Sequence, residues 1–478
     1  MSSRVSSLDP PRTPRNRMGS RAYALRLLDD MASGRIPPEF AESDPAVAWA
    51  DSGAMSLTGA AEGPPRLAPS GIPRAVEGAF RALAALAGPG PLAALDAQAL
   101  LSERAAHFGG RRRGRTSPGG SCRLVQSRDG WIAISLARPD DLALLAAWFD
   151  DAHAPGAGTM RDRVGSGGEG IWRYVSQSVA KRTSEALVDR GRLLGLPVAS
   201  ALSAGPPPTT WRRIVSAGRA IERAPGAAAR VLDLSSLWAG PLCSHLLGIT
   251  GAEVVKLESW ERPDGARKGA PSFFDLLNAG KRSVALEFRS ELGRERLLQL
   301  IDFADVVIES SRPRALAQLG IDAAELVRAR PGLSWVSITG YGRGEPEANW
   351  VAFGDDAAVA AGLSRAVADA GGPLFCGDAI ADPLTGLHAA VAALGSFRNG
   401  GGELIDLNLC DVSAFALAAG TECSDAARIE ADPNGGFELI VGSERHPISA
   451  PRTRPASGRA GALGADNQFV FERLDRAC

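Results

Sequence analysis

The stretch RVLDLSSLWAGPLCSHLLGITGAEVVKLES, residues 230–259, restricts the fold more than any other part of the chain. An apolar run at Val231–Leu234, a Gly-Pro turn, an apolar helical segment and a second apolar run at Glu253–Leu257 read as a βαβ unit. Two strands joined through a helix lie parallel, and a parallel sheet needs helices on both faces. Further strand-like runs follow at SVALEF, ADVVIES and LSWVSITG, alternating with helical segments such as ELGRERLLQLIDF. The pattern predicts a Rossmann-like doubly wound α/β domain, with ligands at the carboxyl ends of its strands.

The 478 residues allow roughly three domains of ordinary size. Residues 1–44 are polar and proline-rich and read as a disordered or mobile arm, broken by one short helical candidate, AYALRLLDDM. Between 45 and 115, Gly/Pro loops lead into Ala/Leu-rich segments that read as buried helices. SCRLVQSRDGWIAISLA, two strands about an RDG turn, opens a small α/β domain at 116–202. The prolines and small residues of 203–230 read as a linker, and 231–478 holds the doubly wound core and a tail.

A net charge of -1 with 22% charged residues argues against nucleic acid or an anionic membrane as partner. The basic patch GGRRRGRTSPGG (109–120) admits a phosphate site or, more simply, a solvated interdomain loop. Six scattered cysteines without a CxxC pair or a Cys/His cluster point to free thiols in a reducing cytoplasm and to no metal site. No apolar run reaches the length of a membrane span, and the N-terminal stretch lacks the apolar region of a signal peptide. GYGRGE (340–345) imitates a dinucleotide loop only in part and reads as a plain loop, while His245 and His388 read as packed or capping histidines.

One internal echo stands out. IADPLTGLHAAVAAL (380–394) repeats the apolar skeleton of IPRAVEGAFRALAAL (72–86), found 308 positions earlier, but carries Asp382 where the earlier copy has Arg74. Followed by Pro383 and an apolar run, Asp382 is placed to cap a helix, with proline at the first helical position. The same placement would keep a carboxylate ionised in the positive end of the helix dipole, available as a nucleophile.

The blocks VLDLSSLWAGPLCSHLLGITGAEVVKLE, NAGKRSVALEF, ADVVIESSRPRALAQLGID, SITGYGRGEP, IADPLTGLHAAVAALG and IDLNLCD occur in the order and spacing of the family III CoA-transferases, the CaiB/BaiF type. The resemblance covers about 230–412, and the C-terminal tail looks like the family's own. It implies that fold and an acyl-CoA:carboxylate CoA-transferase in which Asp382 forms a mixed anhydride and then an aspartyl-CoA thioester. Coenzyme A or acyl-CoA enters as substrate and a carboxylic acid accepts it. No permanent cofactor or metal is implied.

The resemblance also implies a CoA site. Leu237 and Trp238 match positions that pack on the nucleotide. Leu286, Glu287, Phe288 and Arg289 match the segment lining adenine and phosphates, and Ser310, Ser311 and Arg312 match a phosphate-contacting turn. The usual Asn is here Ser310 and the usual Gly is Arg314. SGAMSLTGAAEGPP resembles the start of the family's chain, so 45–115 reads as a degenerate partial repeat in which Arg74 replaces the nucleophile. Gly119 and Gly120 fall where the family has a glycine-rich closing loop, and an interdomain turn explains them equally well. The family's interlocked dimers leave a homodimer or an internally closed pseudo-dimer open. Two rivals remain: an α-methylacyl-CoA racemase-like enzyme, disfavoured because GDD (354–356) replaces that branch's GHD, and a non-catalytic CoA-binding subunit.

Overall fold

The computed structural model describes residues 18–37, 39–151, 169–201, 205–420, 427–433 and 435–476. The segment 1–17 and the cysteines at 423 and 478 lie outside the described residues. Three antiparallel strands, β1 (Cys122–Gln126), β2 (Trp131–Ser135) and β3 (Val198–Ser200), form a small sheet in that order. Ser127 and Gly130 close the β1–β2 turn through an N–H···O bond of 2.8 Å. Ile132, Ile134 and Val198 pack with Val175 and Leu187, from helices Glu169–Val179 and Ser184–Leu194, into a core of their own.

The central sheet has seven strands: β4 (Arg213–Ala217), β5 (Arg230–Asp233), β6 (Glu253–Ser259), β7 (Arg282–Leu286), β8 (Val306–Glu309), β9 (Ser334–Thr339) and β10 (Glu403–Asn408). They run β4-β10-β9-β8-β5-β6-β7, all parallel except β4. Without β4, the six parallel strands taken in sequence have the doubly wound order 3-2-1-4-5-6, which places the topological switch point between β5 and β8. The expected linker 203–230 is therefore partly sheet. β4 is an edge strand whose Ile214 and Val215 are exposed, so it shows no buried-strand pattern in sequence. A last sheet, β11 (Ala427–Ala431), β12 (Phe437–Val441) and β13 (Glu444–Pro447), is an antiparallel meander absent from the expected organisation.

The segment expected to be an arm is in its described part anchored. Helix Ser20–Asp29 fully buries Tyr23, Ala24, Leu27 and Leu28, an i, i+1, i+4, i+5 stripe that forms one apolar face. It packs on helix Gly71–Ala87 at Gly78, where a Cβ would stand 2.7 Å from the Ser20 carbonyl. Both helices share the largest core with Leu242, Leu246, Leu384 and Leu387 of the second half. The helix carrying Asp382, Ala381–Arg398, is buried on nearly every side. Its Gly386 admits helix Ala239–Ile249 so closely that a Cβ would lie 2.6 Å from the Ala239 carbonyl. No helix among the described residues is long and apolar enough to cross a membrane.

Candidate active site

The Asp382 helix connects β9 to β10, so its N-terminus stands at the carboxyl edge of the parallel strands. Asp382 is not its cap: the cap is Ile380, and Asp382 is the second helical residue, with Pro383 the third. The shift has a local cause. Ala379 adopts φ +43° and its carbonyl accepts the Asp382 N–H at 2.9 Å, so the turn closes before the aspartate. Pro383 is still tolerated, because the first four N–H groups of a helix have no intrahelical acceptor.

Around Asp382 the fold assembles a carboxylate cluster. The Gly354 N–H donates to its side chain, and a Cβ on Gly354 would sit 2.4 Å from both Asp382 Oδ2 and the Ala379 carbonyl, so only glycine fits. Asp355 Oδ1 accepts the Ala379 N–H at 2.8 Å. Asp356 Oδ1 accepts the Phe353 N–H at 3.0 Å and the Ser135 hydroxyl at 3.1 Å, while its Oδ2 has no partner among the described residues. Asp378 is fully buried and receives both arms of Arg104, Nε to Oδ2 at 2.9 Å and Nη2 to Oδ1 at 2.5 Å. Asp355, Asp356 and Asp378 are all buried, whereas Asp382 keeps partial exposure.

Burial drives the electrostatics. It pushes the Asp382 carboxyl up to about 7, opposed by the Arg104 charge, reinforced by Asp355 and Asp378, and eased by the Gly354 N–H. Asp356 is likewise raised by burial to about 7, and Asp355 is raised by burial and by Asp378. Burial and the neighbouring acids thus act against the helix dipole that was expected to keep Asp382 ionised.

Much of this support comes from the first half of the chain. Besides Arg104 and Ser135, the Thr58 hydroxyl accepts the Gly377 N–H at 2.8 Å, and Ser117 bonds Asp355. Tyr23 and His388 meet at 2.8 Å, and His388 Nδ1 lies 2.7 Å from the Leu384 carbonyl. The carbonyl can only accept, so Nδ1 carries the proton, and Nε2 takes the tyrosine hydroxyl. Burial lowers this histidine to about 4, and it serves as a packed link between helices.

The residues expected to hold CoA divide. Leu237, 41% exposed at φ +71°, and Ser310–Arg312 lie at the switch point, where the Ser236 N–H donates to Ser310 Oγ at 3.0 Å. Ser311 Oγ donates to Glu309 at 3.1 Å. Glu287 and Arg289 are exposed and Phe288 half-buried at the end of β7, with Arg289 3.6 Å from Glu261. Two side chains do not face a ligand. Leu286 is packed in the core beneath the sheet, and Trp238 is 2% exposed, edge-on to Phe273 at 5.4 Å. Trp238 points inward because the chain turns directly from Leu237 into helix Ala239–Ile249. Gly119 and Gly120 form a turn against arginines: a Cβ would lie 3.0 Å from Arg104 Nη2 at Gly119 and 2.9 Å from Arg113 Nη1 at Gly120.

Sequence reasoning missed Arg104, Asp378 and the gathering of positive charge near Arg312. Burial, then Arg314, Arg138 and Arg262, holds Arg312 below its usual value, and it makes no ion pair among the described residues. Asp378, four residues before Asp382, was legible as an acid beside the motif; Arg104, 274 positions from its partner, carried no local signal.

Residues 227–437 match the profile of CoA-transferase family III. This segment, less than half of the chain, is similar to that family. The chain is similar to a succinate–glutarate CoA-transferase of Agrobacterium fabrum, 31% identical over 40% of this chain and 52% of that protein. A formyl-CoA:oxalate CoA-transferase of Streptomyces coelicolor is 32% identical over 51% and 62%. A solved CaiB/BaiF family protein from Brucella suis aligns with a TM-score of 0.41 and 28% identity over 46% of this chain and 66% of that one. The chain spans roughly half to three-fifths of the length of the curated relatives it matches first.

Proposed function

We propose that the chain is an acyl-CoA:carboxylate CoA-transferase with Asp382 as nucleophile. The observation that carries this reading is the one partly exposed carboxylate of a buried cluster, fixed by a glycine N–H at the ligand edge of a doubly wound sheet. Asp382 attacks the acyl-CoA carbonyl, the C–S bond breaks, and a mixed anhydride and CoA thiolate result. The thiolate attacks the aspartyl carbonyl, releasing the donor acid as carboxylate and leaving an aspartyl-CoA thioester. The acceptor carboxylate then attacks that thioester, and the freed thiolate takes the acceptor's acyl group, restoring Asp382. Every step exchanges one activated acyl bond for another, so no outside energy source is needed.

Leu237, Ser310, Ser311 and Arg312 are the residues we assign to CoA, together with Glu287, Phe288 and Arg289. Arg262 and Arg314 add positive charge near Arg312, suited to the phosphates, whereas Arg138 is held by Asp141. Gly119, against Arg104, and Gly120, against Arg113, border the reacting end. Thr58, Arg104, Ser117 and Ser135 reach the site within one chain, which supports the internally closed arrangement. The four described cysteines are free thiols, in keeping with a reducing cytoplasm. Asp355, where the racemase branch has its histidine, is buried and bonded to Ala379 and Ser117, a poor position for a second base.

The test is intact-protein mass spectrometry after exposure to a panel of acyl-CoAs, with peptide mapping across 380–394. A CoA or acyl adduct on Asp382 is expected. Demonstrated CoA binding with no adduct from any donor would return the chain to the non-catalytic reading.

A further inference from the structure

Arg74, the residue standing where the repeat would have its nucleophile, lines a cavity of about 220 Å³ far along the chain from Asp382. Helices Pro45–Asp51 and Gly71–Ala87 form its walls with the segment around Gln98 and with Arg452. Most of its charges are paired. Arg452 Nη2 lies 2.6 Å from Asp96, and Arg81 Nε donates to Glu77 at 2.6 Å. Two opposite charges are left over. Arg74 makes only a 3.1 Å bond to the Ser70 hydroxyl, and the Asp51 carboxylate has no ion pair or hydrogen bond among the described residues.

Both leftover charges oppose their helices: a cation in the first turn of one and an anion at the last residue of the other, the ends where the dipole disfavours them. A third lining group is also unmatched. Gln98 Nε2 donates to the Pro73 carbonyl at 3.0 Å, which fixes the orientation of the amide, and Oε1 has no partner among the described residues. Among the described residues, a guanidinium lacking an anion, a carboxylate lacking a cation and an amide oxygen lacking a donor bound one cavity. Its volume equals about seven waters at ~30 Å³ each.

We propose that this cavity is a binding site for a small amino acid, the carboxylate on Arg74 and the ammonium on Asp51 and Gln98. The site is separate from the Asp382 cluster and does not depend on the transferase reading. Calorimetric titration and ligand-observed NMR of the full chain with glycine, L-alanine and β-alanine test it, with acetate and lactate as carboxylates lacking the ammonium. At least one amino acid is expected to bind saturably, roughly tenfold or more tighter than lactate, a gap of about 1.4 kcal/mol. Arg74→Gln is expected to weaken it by about that factor, and Asp51→Asn to erase the preference over lactate. The proposal is overturned by absence of saturable binding at millimolar concentration, by lactate binding as well as alanine, or by binding unaltered in both variants. The substitutions lie on different helices, so one misfolded variant leaves the other decisive.

Discussion

The Asp382 and Arg74 helices share a sequence skeleton and pack in the same core, yet their first turns meet opposite surroundings. At Asp382 the neighbours are Gly354, three buried acids and Arg104 from the first half of the chain; at Arg74 they are a serine, a cavity and a carboxylate unpaired among the described residues. The lesson is that a helix start becomes a reactive site through what converges on it. The dipole and the apolar ladder are common to both, and cannot explain the difference.

The largest expected effect comes from removing the carboxylate. Asp382→Asn keeps the size and loses the nucleophile, so turnover should fall by at least about 10⁴-fold and the covalent adduct should vanish in mass spectra. Transfer that survives this substitution would make the two helix starts equivalent after all.

Next is the arginine from the other half. Arg104→Gln leaves Asp378 charged, buried and without its bidentate partner, which should cost about 3 kcal/mol in chemical denaturation. It also removes the main group opposing the upward shift of Asp382. Only the ionised aspartate attacks, so activity of the native chain should rise as pH climbs through about 7, and the variant's rising limb should move to higher pH. An unmoved limb would mean that Arg104 is a structural brace alone.

A smaller effect concerns Asp356, held protonated in the folded state up to about 7 against an unfolded value near 3.9. A raised carboxyl contributes stability that is present below the unfolded value and lost as pH rises through the folded one. From pH 5 to 8 the native chain should therefore lose ~2 kcal/mol that Asp356→Asn does not lose, read from denaturant midpoints at the two pH values. Parallel losses in both proteins would assign the slope to other groups.

The doubly wound sheet was legible because Val231–Leu234, Glu253–Leu257 and the later apolar runs are buried on both faces and so are apolar throughout. Asp382 was legible because its block is intact. β4 escaped because its side chains are exposed at an edge; the Ser20–Asp29 helix was legible in AYALRLLDDM, but its anchoring in the core was not, because its short apolar stripe lies among polar, proline-rich sequence. Trp238 and Leu286 were assigned to a ligand by position in a motif, but solvent exposure depends on which way a backbone turns. Arg104 depends on tertiary convergence, for which no local pattern exists.

The smallest expected effect is the most direct attack on the comparison. In an Asp382→Asn background, Arg74→Asp restores the repeat's missing acid at the matching place in an otherwise similar helix. If sequence position in the repeat were enough, acyl adducts should reappear on the 72–86 peptide. The geometry predicts none: Gly420 abuts this first turn, but its carbonyl accepts the Gly71 N–H and no N–H among the described residues is set to hold an acid at 74, and the carboxyl ends of the parallel strands lie elsewhere. The new acid would also face Asp51 across the cavity, a like charge in place of an opposite one, so any detectable change should be a modest loss of stability, within about 1 kcal/mol. Recovery of adduct at residue 74 would show that the repeat retains a second reactive geometry, and that the arginine, not the surroundings, is what silences it.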